Sequence, residues 1–212
     1  SNSDKQNTQN TSAEAGPTAG NDTAEEKATD TDSEAQQAAA DKEKAKELLE
    51  RAIGLIESDD PADIEAGMDL AREAKELDPE FARPYCAIGT GNRKLKDYDE
   101  ALNWYLQAVE IDESYVVCYD NMGYAYYLIG RDALEAENTE AATAAFTNAE
   151  QAFSMAISLD ETYADAYFNL GQLYQIAYDD TESARTNFSR FVELSSDEVK
   201  KDEVRNLLRE LE

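Results

Sequence analysis

Cys86 and Cys118 are the only thiols in a chain of 212 residues that contains no histidine. Without histidine, a serine or cysteine nucleophile lacks its usual general base, and only a lysine or an amine is left to take the proton. The commonest metal ligand is missing for the same reason. Gly89-Thr90-Gly91 falls inside a helical pattern, so it is not a glycine-rich loop that cradles phosphate. Asp30-Thr31-Asp32-Ser33-Glu34 has the opening of a calcium loop but neither the turn glycine nor the terminal glutamate such a loop needs. Carboxylates are so numerous, 47 Asp and Glu against 19 Lys and Arg, that no single pair stands out as an acid/base couple. The chain is therefore expected to be non-enzymatic, with no catalytic residue, no metal site and no cofactor; an enzyme of unrecognised type is the least favoured alternative. Its two cysteines read as small apolar fillers of a helix seam.

The formal net charge of -28 repels phosphate backbones and anionic headgroups, which argues against nucleic acid as a partner. The acidity is uneven: the net charge is -6 over residues 1–40 but only -2 over 81–115. No run of apolar residues is long enough to span a membrane.

What positions the remaining side chains is a repeat. Tyr85-Cys86-Ala87-Ile88-Gly89 returns 34 residues later as Tyr119-Asp120-Asn121-Met122-Gly123, and again as Tyr167-Phe168-Asn169-Leu170-Gly171. Each copy is followed by a second signature: Ala101, Tyr105 and Ala108; then Ala149, Phe153 and Ala156; then Ala184 and Phe188. The pattern resembles the tetratricopeptide repeat (TPR), a helix-turn-helix unit with an aromatic, a glycine, an alanine and a second aromatic at fixed offsets. That resemblance implies an all-α superhelical solenoid with a C-terminal capping helix, built to grip a partner protein or peptide.

The same resemblance assigns a concave groove to six positions of each first helix. In the second repeat these are Arg83, Cys86, Ala87, Thr90, Arg93 and Lys94. The third contributes Val117, Asp120, Asn121, Tyr124, Tyr127 and Leu128, and the fourth Asp165, Phe168, Asn169, Gln172, Gln175 and Ile176. Asn121 and Asn169 occupy one repeat position, where an amide either bonds an extended peptide backbone or simply solvates the groove. TPR co-chaperones that hold a terminal carboxylate place lysines where this chain has Cys86 and Asp165, and an arginine where it has Asn169. The groove is accordingly expected to take a neutral or basic segment.

Residues 1–32 carry almost no apolar bulk and read as a disordered acidic tether. Ser33-Glu34-Ala35-Gln36 reads as a capping box that opens the first helix. The TPR domain then runs over 33–212: a degenerate repeat at 45–81, repeats at 82–115, 116–163 and 164–197, and a cap helix at 198–212. The third repeat holds 14 extra residues, 132–145, rich in Ala and Glu with no Pro or Gly, which are expected to lengthen both of its helices into a spur. Val204, Leu207, Leu208 and Leu211 form the apolar face of the cap. No signal peptide or initiator Met is visible in the given sequence, so the chain is read as processed or trimmed. The tether resembles the linker of a bacterial lipoprotein, which implies an extracellular domain anchored by a lipid-bearing cysteine upstream of Ser1. The alternative is a cytoplasmic co-chaperone or assembly adaptor with a disordered tail.

Overall fold

The computed structural model describes residues 22–211, with side chains from residue 33 onward. Among these residues there are nine α-helices and no strand: α1 Asp22–Ile56, α2 Pro61–Leu77, α3 Ala82–Lys94, α4 Tyr98–Ile111, α5 Val116–Glu135, α6 Thr139–Leu159, α7 Ala164–Ala177, α8 Thr181–Leu194 and α9 Glu198–Glu210. Two compact units divide the chain, residues 1–40 and 41–212. In the first, the described residues are helical. The second holds the buried core, which begins at Ala45.

Of the expected tether, residues 1–21 lie outside the described residues. Residues 22–32 are helical, so α1 begins at Asp22 and not at the capping box of Ser33. The physical reason is local: the alanines and lysine of this stretch are strong helix formers.

Helix starts at the corners are fixed by acceptor side chains. Asp60 accepts from the Ala62 N–H, Asp97 from Glu100, Asn138 from Ala141, Asp180 from Ser183 and Asp197 from Lys200. Each satisfies one backbone donor that the helix itself leaves unbonded. The corner inside each repeat has a second constant part. Lys96, Glu137 and Asp179, each directly before an N-cap, adopt positive φ of 66°, 57° and 51°. In the first two corners the N-cap N–H reaches back five residues, Asp97 to Asn92 O at 2.9 Å and Asn138 to Ala133 O at 2.8 Å, which closes the preceding helix.

The repeat glycines set how closely the two helices of a repeat approach. A Cβ built on Gly89 would lie 2.6 Å from the Tyr105 ring, one on Gly123 2.6 Å from Phe153, and one on Gly171 2.7 Å from Phe188. These three rings are fully buried. The core is consequently layered along the array. One cluster joins α1, α2 and α3 through Leu49, Ile56, Met68 and Ile88. The next joins α3, α4 and α5 through Cys86, Tyr105 and Met122, a third α5, α6 and α7, and the last α7, α8 and α9. Each layer contacts only its neighbours, as a solenoid requires.

In the third repeat α5 and α6 run 20 and 21 residues, where α3, α4, α7 and α8 run 13 or 14. The added turns are packed within the hairpin: Ala142, Ala145 and Phe146 are buried, and the Phe146 ring lies 6.1 Å from Tyr127. At the other end Val204 of α9 is fully buried, and Leu207, Leu208 and Leu211 pack with it against Phe188 and Phe191.

Candidate binding groove

First helices α3, α5 and α7 lie side by side, α3 against α5 and α5 against α7. Their shared face carries the residues assigned to the groove, but the structure gives them different tasks.

The two asparagines act as struts. Asn169 Nδ2 donates to Asp120 Oδ1 of the preceding first helix at 2.9 Å. Asn121 Nδ2 points to Cys86 Sγ of its own preceding helix at 3.8 Å. One N–H of each amide is therefore engaged between repeats.

Asp120 is 7% exposed. Burial drives its carboxyl from the ordinary 3.8 up to about 6, against the opposing effects of the Asn169 bond, the nearby Lys200 ammonium and the Tyr163 hydroxyl. Burial also raises Tyr163 well above the usual phenol range. Asp165 is held at 2.8 Å by Lys200 of α9. The same ammonium lies 4.3 Å above the Phe168 ring, and Phe168 packs 5.4 Å from Phe191. The cap helix thus occupies the fourth-repeat end through Asp165 and Phe168. Gln172 and Gln175 are half-buried on α7. Tyr127 is 5% exposed and serves the core.

At the other end the groove opens. Arg83, Thr90 and Arg93, with Cys86, Ala87 and Lys94, line a cleft of about 460 Å³ that is completed by Ile53, Ile56 and Glu57 from the end of α1 and by Tyr115, Val117 and Asn121 around the start of α5. Lys94 Nζ closes the cleft wall by bonding the Glu57 and Ser58 carbonyls at 2.9 and 2.7 Å. The Arg93 guanidinium stacks on Tyr124 at 5.0 Å, and Tyr124 in turn stacks on Tyr127 at 6.0 Å. Arg83 lies beside the Tyr115 hydroxyl, whose proton burial holds well above the usual range.

Both cysteines are free and buried. Burial pushes the Cys118 thiol far above the ordinary thiol range, with the Cys86 thiol beside it, which makes Cys118 a poor nucleophile. Among the described residues no cluster of three or more Cys, Asp or Glu could hold a metal ion. No described helix is long and apolar enough to cross a membrane.

Ile53, Ile56, Glu57, Tyr115 and Lys200 are the site residues that the sequence did not single out. The first three belong to a repeat whose first helix lacks the aromatic and glycine that would set its register. Tyr115 precedes its helix, and Lys200 reaches the groove from the cap.

A family model described as TPR repeat matches residues 93–130, from the end of α3 through α4 and most of α5. Residues 93–130 thus carry a TPR repeat, and the stacked helix pairs form a TPR-like solenoid. This solenoid is similar to that of a thermophilic TPR protein of Thermus thermophilus, TTC0263, with a TM-score of 0.66 and 19% identity over 79% of this chain and 80% of that one. It is also similar to the first TPR of Spaghetti (RPAP3) bound to the HSP90 peptide SRMEEVD, with a TM-score of 0.50 and 25% identity over 63% of this chain and 92% of that one. The Arabidopsis OM64 TPR domain aligns with a TM-score of 0.51 and 19% identity over 62% and 96% of the two chains. No curated protein matches the sequence significantly.

Proposed function

We propose that this TPR protein is a non-enzymatic interaction scaffold that holds an extended segment of a partner protein against its first helices, with the α1–α3–α5 cleft as the anchoring site. The observation that carries this reading is the cleft itself. It pairs an apolar wall, Ile53, Ile56 and Ala87, with hydrogen-bonding groups on Thr90, Arg93 and Asn121. That mixture suits a peptide whose side chains need burial and whose backbone needs partners. The similar Spaghetti domain holds a peptide, which adds support.

The expectation of a neutral or basic segment leans on the acids of the groove, Asp120 and Asp165. However, Lys200 already pairs with Asp165, and Asp120 is buried and accepts from Asn169. These two acids therefore offer a basic partner little free charge.

Selection from a displayed library of random extended peptides tests the reading. Binders should lose affinity at least about tenfold on Val117→Trp, which fills the cleft from a 40% exposed position without disturbing the core. Circular dichroism should be unchanged. Binders that ignore this substitution would move the site out of the cleft.

For location, we propose a domain tethered to a bacterial membrane by a lipid upstream of Ser1, with the composition of residues 1–32 in support. The alternative is a cytoplasmic adaptor. Labelling of the full gene product with radioactive palmitate separates the two.

A further inference from the structure

The cleft has one feature that a general peptide groove does not need. In a chain of net charge -28, Arg83 and Arg93 make no ion pair with a carboxylate of the described residues. The other cleft cation, Lys94, is committed to two carbonyls of the α1 end, with Asp59 at 3.7 Å. Arg93 Nε is buried and, among the described residues, has no hydrogen-bond partner. A buried guanidinium donor without an acceptor is costly unless something supplies one. The acids of the array lie elsewhere: Glu57 at the rim is the one carboxylate among the residues lining this cleft.

The two guanidiniums are also held apart. Arg83 sits beside Tyr115 and Arg93 on Tyr124. Those tyrosines are nine positions apart at the start and middle of α5, about 13 Å along a helix axis at 1.5 Å per residue. One carboxylate cannot reach both. An extended peptide advances about 3.3 Å per residue and presents every second side chain to the same face. Two carboxylates at i and i+4 therefore span the gap on one face. The i+2 side chain between them faces the same wall, which here is apolar: Ile53, Ile56, Cys86 and Ala87.

Resting on the groove reading above, we propose that the cleft recognises an internal acidic segment of a partner protein with the pattern acid-x-aliphatic-x-acid, its two carboxylates on Arg83 and Arg93. The carboxylates complete the guanidinium hydrogen bonds, and the aliphatic side chain is buried on the α1 end. The Asn121 amide lines the same cleft and can meet the peptide backbone. The acidic surface of the rest of the chain disfavours longer acidic runs, so the pattern is recognised by spacing and not by bulk charge.

The test uses a fluorescein-labelled nonapeptide, Gly-Ser-Glu-Ser-Leu-Ser-Glu-Ser-Gly, acetylated and amidated, titrated with the full chain by fluorescence anisotropy. Binding should weaken about fivefold on Arg83→Gln and about tenfold on Arg93→Gln, the latter because its partner carboxylate is the less solvated. It should fall about as much when either peptide Glu becomes Gln, when the Leu becomes Ser, or when the two Glu are placed side by side. Raising salt from 0.05 to about 0.3 M should weaken it further. Arg83 is exposed, so Arg83→Gln keeps the test valid even if Arg93→Gln perturbs the fold. Three results would overturn the proposal: no saturable binding of the nonapeptide at millimolar protein, equal binding of the side-by-side peptide, or binding only when the peptide carries a free C-terminal carboxylate. If library-selected peptides are lost on Val117→Trp but are indifferent to Arg83→Gln and Arg93→Gln, the acidic pattern is wrong while the groove reading stands.

Discussion

Replacing Asp120 by asparagine should make the protein more stable at neutral pH, although it removes a charge that lies within reach of Lys200. Asp120 is buried between α5 and α7, accepts from Asn169 Nδ2, and has Tyr163, Asp165, Lys200 and, through Tyr163, Cys86 around it. Its carboxyl titrates at about 6 in the fold against an ordinary 3.8. A raised carboxyl pKa means that the folded state holds the proton more tightly than the unfolded chain does. The resulting stability is fully present below about 3.8 and is lost as the pH rises through about 6. At about 1.4 kcal/mol per tenfold change in proton affinity, the loss across that window is about 3 kcal/mol. An asparagine at this position still accepts from Asn169 and has no proton to lose. Urea unfolding of the two proteins, followed by circular dichroism between about pH 4.5 and 7.5, isolates the effect, because every other titrating group is common to both. The stability of Asp120→Asn relative to the parent should climb by most of about 3 kcal/mol over that range, or about 6–12 °C in melting temperature for a chain of this size. Curves that stay parallel within about 0.5 kcal/mol would show that Asp120 titrates in the fold as it does in the unfolded chain.

Other substitutions separate the packing from the turns. Gly89→Ala forces a methyl to within 2.6 Å of the buried Tyr105 ring and should cost about 1–3 kcal/mol. Gly54→Ala, in α1 with nothing within 4 Å of the new Cβ, should instead stabilise by about 0.5–1 kcal/mol; equal melting shifts of the same sign would refute the close-approach account. Lys96→Gly and Glu137→Gly relieve positive φ at 66° and 57° and should each raise stability by up to about 1 kcal/mol in urea unfolding, whereas a loss would mean that those side chains do more than tolerate the turn. Deleting residues 198–212 uncovers Phe168 and Phe191, which pack with α9, and should lower stability by at least about 3 kcal/mol and promote association in light scattering. An unchanged melt in a monomer would remove α9 from the role of cap.

The solenoid is legible in the sequence because its signals are redundant. Gly89, Gly123 and Gly171 are required by the rings of Tyr105, Phe153 and Phe188, so period and packing state the same constraint twice. The corners are partly legible. Asp60 and Asp97 announce themselves as caps, but the left-handed residues before the caps are Lys96, Glu137 and Asp179, and no residue preference predicts a lysine or a glutamate there. The start of α1 escapes the pattern because a good capping box at Ser33 is a sufficient signal for a helix start and not a necessary one. The helix propensities of residues 22–32 carry the helix further back.

The groove is harder to read because a repeat position names a direction and not an occupant. Asn121 and Asn169 do face the groove side of their helices, but each commits an amide N–H to the first helix before it, and Asp165 and Phe168 are taken by Lys200. Both arrangements depend on a partner one repeat away, and such a pairing leaves no trace in the local pattern of either. Charge counting is equally blind to position. The sum over residues 81–115 is still negative, yet its acids, such as Asp97 and Asp112, are turned to caps and corners, while Arg83 and Arg93 converge on one cleft. On the acidic-segment proposal, partner choice in so acidic an array is set by which cations are left without an internal carboxylate. That quantity is fixed by the stacking of first helices, so a substitution at Asn169 that shifts α7 against α5 should alter ligand preference without touching a ligand.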